Sequence, residues 1–135
     1  MDRKRLARML ALSAVLLIGL YFAREWPKDQ TVHYVLGDSA PRVEEVDARW
    51  APGIAATADW TREASFRYPP GKAPRVVTHE PRLPDGDYTV EIEIVASAAN
   101  GTGDTPQQKN EVVVRKHVVL HGGATSIELA DAVPR

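Results

Sequence analysis

The chain has 135 residues, and its 17 Lys and Arg against 18 Asp and Glu give a formal net charge of −1. Because the basic residues are scattered singly, this near balance argues against nucleic-acid binding. The chain has no cysteine, which excludes disulfides, thiolate nucleophiles and thiolate metal sites. The length allows one domain with a sizeable core once the N-terminus is set aside.

The N-terminus has the composition of a membrane anchor. A basic head, residues 1–8, precedes a charge-free apolar run, residues 9–23. As a helix this run is about 22 Å long, short of a hydrocarbon core of about 30 Å, but flanking residues extend it. Tyr21 and Trp26 suit a membrane interface. We predict a signal anchor, a transmembrane helix over residues 9–26 with a cytoplasmic N-terminus by the positive-inside rule.

The alternative for this segment is a signal peptide that is cleaved, after which the domain is secreted. Tyr21 stands where a cleavage site needs a small residue, which favours the uncleaved anchor. A soluble or interfacial helix is a third reading. The cysteine-free, compact anchor is in the style of bacterial envelope proteins. The predicted location is therefore the inner (cytoplasmic) membrane, single-pass, with the C-terminal domain in the periplasm.

After the anchor, the pattern predicts a linker at residues 27–30, a β-sandwich domain at 31–130 and a tail at 131–135 that trails off without order. Strands are favoured where β-branched and aromatic residues alternate with polar ones between Gly and Pro breaks. The predicted strands are residues 31–36, 43–50, 60–68, 75–80, 111–121 and 125–129, with a turn and strand at 83–95. Residues 54–59 are a loop or one helical turn.

The segment 83–95 shows the clearest alternation. Pro84-Asp85-Gly86 predicts a tight turn, and Tyr88, Val90, Ile92 and Ile94 then share one face of a strand. Gly122-Gly123 predicts a hairpin turn between the last two strands. Seven short strands without a further amphipathic helix predict an all-β, antiparallel sandwich behind an N-terminal transmembrane helix.

Two segments resemble a known group of domains. Residues 83–90 (L-P-D-G-D-Y-T-V) resemble the turn and strand of prealbumin-like sandwich modules: the carboxypeptidase regulatory-like, PEGA-like and collagen-adhesin B-type domains. Residues 118–129 resemble the terminal hairpin of the same group. The resemblance implies a seven- or eight-stranded Ig-like or prealbumin-like sandwich that serves as a spacer or binding module. These families share no catalytic residues, so the resemblance transfers none.

Histidines are the first candidates for metal binding or catalysis. On a strand, His117 and His121 lie about 13 Å apart, too far to share one ion. His33 and His79 can join them only through strand pairing that the sequence does not reveal. We therefore interpret all four as residues of solvated strand faces.

Other arrangements of reactive residues are equally weak. The segment 100–111 imitates the spacing of a calcium loop but lacks its central glycine and flanking helices. Asp85, Asp87, Glu91 and Glu93 fit a solvated sheet face better than a pair of hydrolytic carboxylates. No serine has a G-x-S-x-G setting, and no glycine loop precedes a helix. We predict no catalytic, cofactor-binding or metal-binding residues.

Interaction is the remaining function. The loops 69–74 and 97–110 are long for a small sandwich, and an exposed edge strand offers a second way to bind. A basic patch of Arg62, Arg67, Arg75 and Arg82 is a weaker possibility. The sequence predicts a non-catalytic, membrane-anchored envelope protein that binds or scaffolds a protein partner. The alternatives are an accessory subunit of a larger inner-membrane complex and, distantly, a small hydrolase.

Overall fold

Alternating residues form strands in this chain, and the uninterrupted apolar run near the N-terminus forms a helix. The computed structural model describes residues 3–54, 59–98 and 109–133. Its elements are the helix α1 (Arg3–Arg24) and the strands β1 (Thr31–Val35), β2 (Val43–Pro52), β3 (Arg62–Arg67), β4 (Val76–His79), β5 (Gly86–Ser97), β6 (Lys109–Leu120) and β7 (Ala124–Glu128), with a 3₁₀-helix at Gly37–Arg42.

The strands form two sheets that enclose one core. The first sheet has the order β4-β1-β7 and the second has the order β3-β2-β5-β6. Buried side chains from both sheets, among them Tyr34 of β1, Trp50 of β2 and Ile92 of β5, belong to a single apolar cluster. The prediction of a β-rich, two-sheet domain after an apolar helix is therefore confirmed.

Strand β5 is the strand that the sequence described best. Tyr88, Val90, Ile92 and Ile94 are all buried, as the period of two predicted. The strand pairs with β2 on one side and β6 on the other, so it lies inside the four-stranded sheet. Its twelve residues extend further than predicted and shorten the loop that follows.

The prediction of a wholly antiparallel sandwich is wrong at one pair. Strands β1 and β7 run parallel, with Thr31 opposite Ala124 and Val35 opposite Glu128. The chain between these strands passes through both sheets before it returns beside β1. A pairing between residues more than ninety positions apart leaves no mark in the local alternation of either strand.

The predicted hairpin at Gly122-Gly123 is also wrong. Strands β6 and β7 belong to different sheets, so the two glycines let the chain cross from one layer to the other. Gly122 adopts a positive φ of 72°, which favours glycine. The Gly123 carbonyl then accepts a hydrogen bond from the Thr31 N–H at 2.9 Å, which starts the parallel pairing.

The strand order differs from that of a constant-type immunoglobulin domain. In that fold the first, second, fourth and fifth strands share one sheet. Here β1 and β4 lie in one sheet, whereas β2 and β5 lie in the other.

Three local expectations changed. Residues 130–133 do not trail off, because Val133 is buried after a turn beyond β7. Arg62 and Lys116 stand opposite the buried Trp50 and Val90, at inward-facing positions, but are themselves exposed. The Lys116 ammonium donates to the Glu128 carbonyl at 2.9 Å across the gap between β6 and β7. The lysine thus stays exposed while its ammonium reaches the end of β7.

Helix α1 is long and apolar enough to cross a membrane. Its 22 residues correspond to about 33 Å, close to the thickness of a hydrocarbon core. None of its residues is buried. It begins at Arg3, inside the basic head, and ends at Arg24, one residue beyond the apolar run.

The sandwich has two ends that matter for function. The helix end contains residues 25–30, 80–85 and 121–123, where the chain leaves α1 and enters β1, β5 and β7, and the described residues 53–54 and 59–61 of the β2–β3 connection. The loop end contains residues 36–42, 68–75 and 129–133, with Ala98 and Lys109 beside them. Strand pairing fixes this division, because Val35 lies opposite both Val76 and Glu128 at the loop end.

Candidate functional site

The loop end brings together the two loops that the sequence analysis selected for partner binding. The first loop follows Tyr68, whose N–H donates to the Glu44 carbonyl at 2.8 Å. It ends at Arg75, whose carbonyl accepts hydrogen bonds from the Leu36 and Gly37 N–H groups. The Arg75 guanidinium also reaches Asp38 at 2.6 Å. Both ends of this loop are therefore fixed beside the 3₁₀-helix.

The described residues at the two ends of the second loop contact the 3₁₀-helix and the start of β2. The Ser97 hydroxyl donates to the Arg42 carbonyl at 3.2 Å, and Lys109 pairs with Glu44 at 2.9 Å. Residues 99–108, which contain most of this predicted loop and of the calcium-loop imitation at 100–111, lie outside the described residues. The described residues on either side place both loops at one end, opposite the end where α1 joins.

The helix end is a closed polar cluster that the sequence analysis did not anticipate. Gln30 is fully buried, and its amide donates to the Leu83 carbonyl at 3.2 Å and to Asp85 at 2.9 Å. Its side-chain oxygen accepts from the Gly122 N–H at 2.8 Å. Lys28 forms an ion pair with Asp85. The predicted linker 27–30 is therefore bound to the β5 and β7 turns.

Asp85 is the charged centre of this cluster. The hydrogen bond from Lys28 holds the pKa of the Asp85 carboxyl below its ordinary value, and Gln30 adds to that effect. The carboxylate therefore remains ionised and keeps the chain segment after α1 attached to the turn before β5. This arrangement attaches residues 28–30 to the sandwich, which is a structural role.

The histidines do not converge on one site. His33 lies on the outer face of the three-stranded sheet, where its Nδ1 is 3.2 Å from the Thr78 hydroxyl. His117 lies on the outer face of the four-stranded sheet, 3.2 Å from Asp87. His121 follows β6 at the helix end and is exposed. In residues 3–54, 59–98 and 109–133, no group of three His, Asp or Glu is arranged to hold a metal ion.

His79 is the exception to the prediction of solvated strand faces. It points inward from β4 opposite Val32, and its ring packs edge-on against Phe66 with centroids 5.6 Å apart. Burial lowers the pKa of His79. This inward position could not be predicted, because alternation alone does not tell which face of a four-residue strand is inside.

A hydrogen-bonded chain links His79 to the core. The Trp50 indole N–H donates to the Tyr34 hydroxyl at 3.2 Å, and this hydroxyl lies 3.1 Å from His79 Nδ1. Because the indole can only donate, the Tyr34 oxygen accepts from it and the Tyr34 O–H donates to His79. Burial raises the pKa of Tyr34, so the phenol keeps its proton. The chain satisfies polar atoms in the core.

The carboxylates considered for hydrolysis are spread along the outer face of the four-stranded sheet. Asp87 pairs with His117, and Glu91 pairs with Arg115. Burial, followed by the charges of Glu111 and Asp47, raises the pKa of Glu93. One Asp47 carboxylate oxygen is shielded from solvent without a hydrogen-bond partner. This end of the face is therefore acidic.

The four arginines of the proposed basic patch are dispersed. Arg67 pairs with Glu45 at 2.6 Å, and Arg75 pairs with Asp38 at the loop end. Arg82 lies before β5 with a positive φ of 51°, close to the helix end. Arg62 is opposite Trp50, at the far end of β3 from Arg67. The structure does not bring these four residues together.

Comparison with known proteins assigns the chain to no family. No family model matches the chain, and neither a curated protein nor a solved structure matches it significantly. The two ends of the sandwich and its edge strands are therefore the features from which a function is inferred.

Proposed function

We propose that this chain is a membrane-anchored β-sandwich of the bacterial envelope that binds or scaffolds a protein partner and has no catalytic activity of its own. In this proposal α1 is an uncleaved anchor in the inner membrane, and the sandwich lies in the periplasm. The partner is bound by the loop end.

One observation carries the proposal: the loop 68–75 and the described ends of the loop 97–110 lie at the end of the sandwich opposite α1. The 3₁₀-helix Gly37–Arg42 connects them through contacts to Arg75 and Ser97. The tether side is occupied by the buried Gln30 cluster, so its polar groups already have partners. Loops on a rigid scaffold are where binding surfaces usually occur.

We also propose that the domain is a prealbumin-like module. The L-P-D-G-D-Y-T-V turn and strand, from which the resemblance was drawn, forms the start of β5. The Tyr88 hydroxyl donates back to the Pro84 carbonyl at 2.8 Å and ties the strand to its turn. The two-sheet architecture supports a module of this kind, and its strand order differs from that of a constant-type immunoglobulin domain.

The proposal is tested by site-specific photocrosslinking of the full chain in its native membrane. A photoreactive residue at Lys72, exposed in the first loop, should crosslink to a protein other than this chain. Replacing residues 69–74 with a short Gly-Ser turn should abolish capture of that protein while thermal unfolding remains cooperative.

His121 at the helix end provides the matched control, because it is exposed but belongs to the opposite end. Equal crosslinking from position 121, or no protein crosslink from position 72, would contradict the proposal. So would hydrolysis of esters or glycosides by the purified chain, since that activity would require a catalytic function.

A further inference from the structure

Strand β6 is an exposed edge of the four-stranded sheet. Within the described ranges it pairs only with β5, along all twelve of its residues. A strand of this length that is paired on one side presents, on its other side, a row of free backbone N–H and C=O groups with which other chains can pair. The residue sequence of β6 therefore indicates what kind of strand can pair with its free edge.

The register identifies the backbone groups on the free side. The Gly53 N–H donates to the Asp87 carbonyl at 2.9 Å, so the odd-numbered residues of β5 bond to β2. Its even-numbered residues consequently bond to β6, where Ile92 lies opposite Val114. On β6 the free backbone groups belong to the alternate residues, namely Glu111, Val113, Arg115, His117 and Val119.

The centre of this edge lacks the usual protection. Edge strands are commonly guarded by charges, prolines or bulges. Residues 112–114 are instead three valines, and Val113 is 54% exposed on a face that is otherwise mostly charged. Val112 and Val114 point to the inner face and are only partly buried. The charges on this segment flank the valines, with Glu111 before them and Arg115 after them.

We propose that two copies of this chain pair through β6, antiparallel, about a two-fold axis at Val113. In this register Glu111 of each copy lies opposite Arg115 of the other, and Val112 lies opposite Val114. A two-fold axis at Arg115 would instead place two guanidinium groups opposite each other. The segment Glu-Val-Val-Val-Arg is therefore complementary to itself in one register.

The acidic end of the outer face favours a second copy of this chain as the partner of β6. Glu111 lies close enough to Glu93 to disfavour its ionisation, and Asp47 adds a third carboxylate. No ion pair to Glu111 is present in the described part of the chain. The second copy would bring Arg115 to this position. That guanidinium already pairs with Glu91 and has enough donors to bind two carboxylates.

Pairing would join the two four-stranded sheets into one of eight strands. Because the strands are antiparallel, the helix ends of the two copies lie at opposite ends of the joint sheet. For both α1 helices to enter one membrane, the strands must run along its surface. The bends at Glu25 and Trp26 are where the chain direction would change. Each dimer then presents two loop ends.

The absence of native cysteine allows a direct test of the register. Directly paired residues at a hydrogen-bonded position have Cα atoms about 5.5 Å apart, within the range for a disulfide. Val113→Cys in the full chain, oxidised mildly in membranes, should give a disulfide-linked dimer. Val119→Cys is the matched control, because it lies on the same face and edge but away from the axis, and it should remain monomeric.

Charge exchange tests the pairing independently. In the Val113→Cys background, Glu111→Arg and Arg115→Glu should each weaken self-association about tenfold, because like charges then face each other twice. Co-expressing the two variants with different tags should restore the crosslink only between unlike chains. Glu111→Gln and Arg115→Gln, which perturb folding less, should each show a smaller loss.

The inference is overturned if Val113→Cys stays monomeric while circular dichroism shows a folded chain. It is equally overturned if Val119→Cys crosslinks as well, or if mixing the charge variants restores nothing. Self-pairing does not require the loop-end partner, so replacing residues 69–74 should leave the Val113→Cys dimer intact. The two proposals can therefore fail separately.

Discussion

At the scale of single residues, the partial burial of His79 couples pH to the stability of the core. The neutral ring of His79 can accept the Tyr34 O–H at Nδ1, 3.1 Å away. Protonation would remove that acceptor and place a charge beside Phe66. Because burial lowers the pKa of His79 below its unfolded value of about 6.5, the unfolded state binds the proton more readily.

The first prediction is therefore that this contribution to stability is complete above about pH 6.5 and is lost as the pH falls below that value. His79→Gln keeps a hydrogen-bonding side chain that does not titrate, so its free energy of unfolding should vary less over this range. His33→Gln, on an outer sheet face, serves as the control and should retain the wild-type slope. Urea unfolding at closely spaced pH values measures both.

The buried amide of Gln30 supports a second prediction. Gln30→Ala removes three hydrogen bonds and leaves the Gly122 N–H and the Leu83 carbonyl without this partner. We expect a loss of about 2 kcal/mol in unfolding free energy. Lys28→Ala removes only the exposed ion pair to Asp85 and should cost less. Equal effects of the two substitutions in urea unfolding would contradict the assigned role.

At the scale of elements, the sequence predicted what depends on local alternation. The inward face of β5 was correct, because Tyr88, Val90, Ile92 and Ile94 were identified from their spacing alone. The parallel partnership of β1 and β7 was missed, since it joins Thr31 to Ala124 across the whole domain. The loop end could be foreseen only as separate loops, because their meeting depends on that same long-range pairing.

Strand β7 provides the third prediction. It is five residues long, and Ile127 alone among them is fully inside the core. Ile127→Ala should therefore cost about 3 kcal/mol by the loss of buried methyl groups. Ser126→Ala on the exposed side should change stability by less than about 0.5 kcal/mol. If thermal or urea unfolding gave a small loss for Ile127→Ala, β7 would not be an integral part of the sandwich.

At the scale of the whole molecule, a short chain segment joins α1 to the sandwich. Helix α1 ends at Arg24, and Lys28 already contacts Asp85, so three residues separate the two. In the proposed anchored chain, a segment this short limits how far the domain can lie from the membrane. The orientation of α1 therefore decides on which side of the membrane the loop end is presented.

The last prediction concerns that side. Basic residues crowd before the apolar run of α1, so Lys4 should be cytoplasmic and Lys72 should lie outside. In a chain without native cysteine, Lys72→Cys should react with a membrane-impermeant maleimide in spheroplasts, and Lys4→Cys should react only after lysis. Carbonate washing should leave both variants in the membrane fraction. Labelling of Lys4→Cys in intact spheroplasts would reverse the topology, and release by carbonate would show that α1 does not span the bilayer.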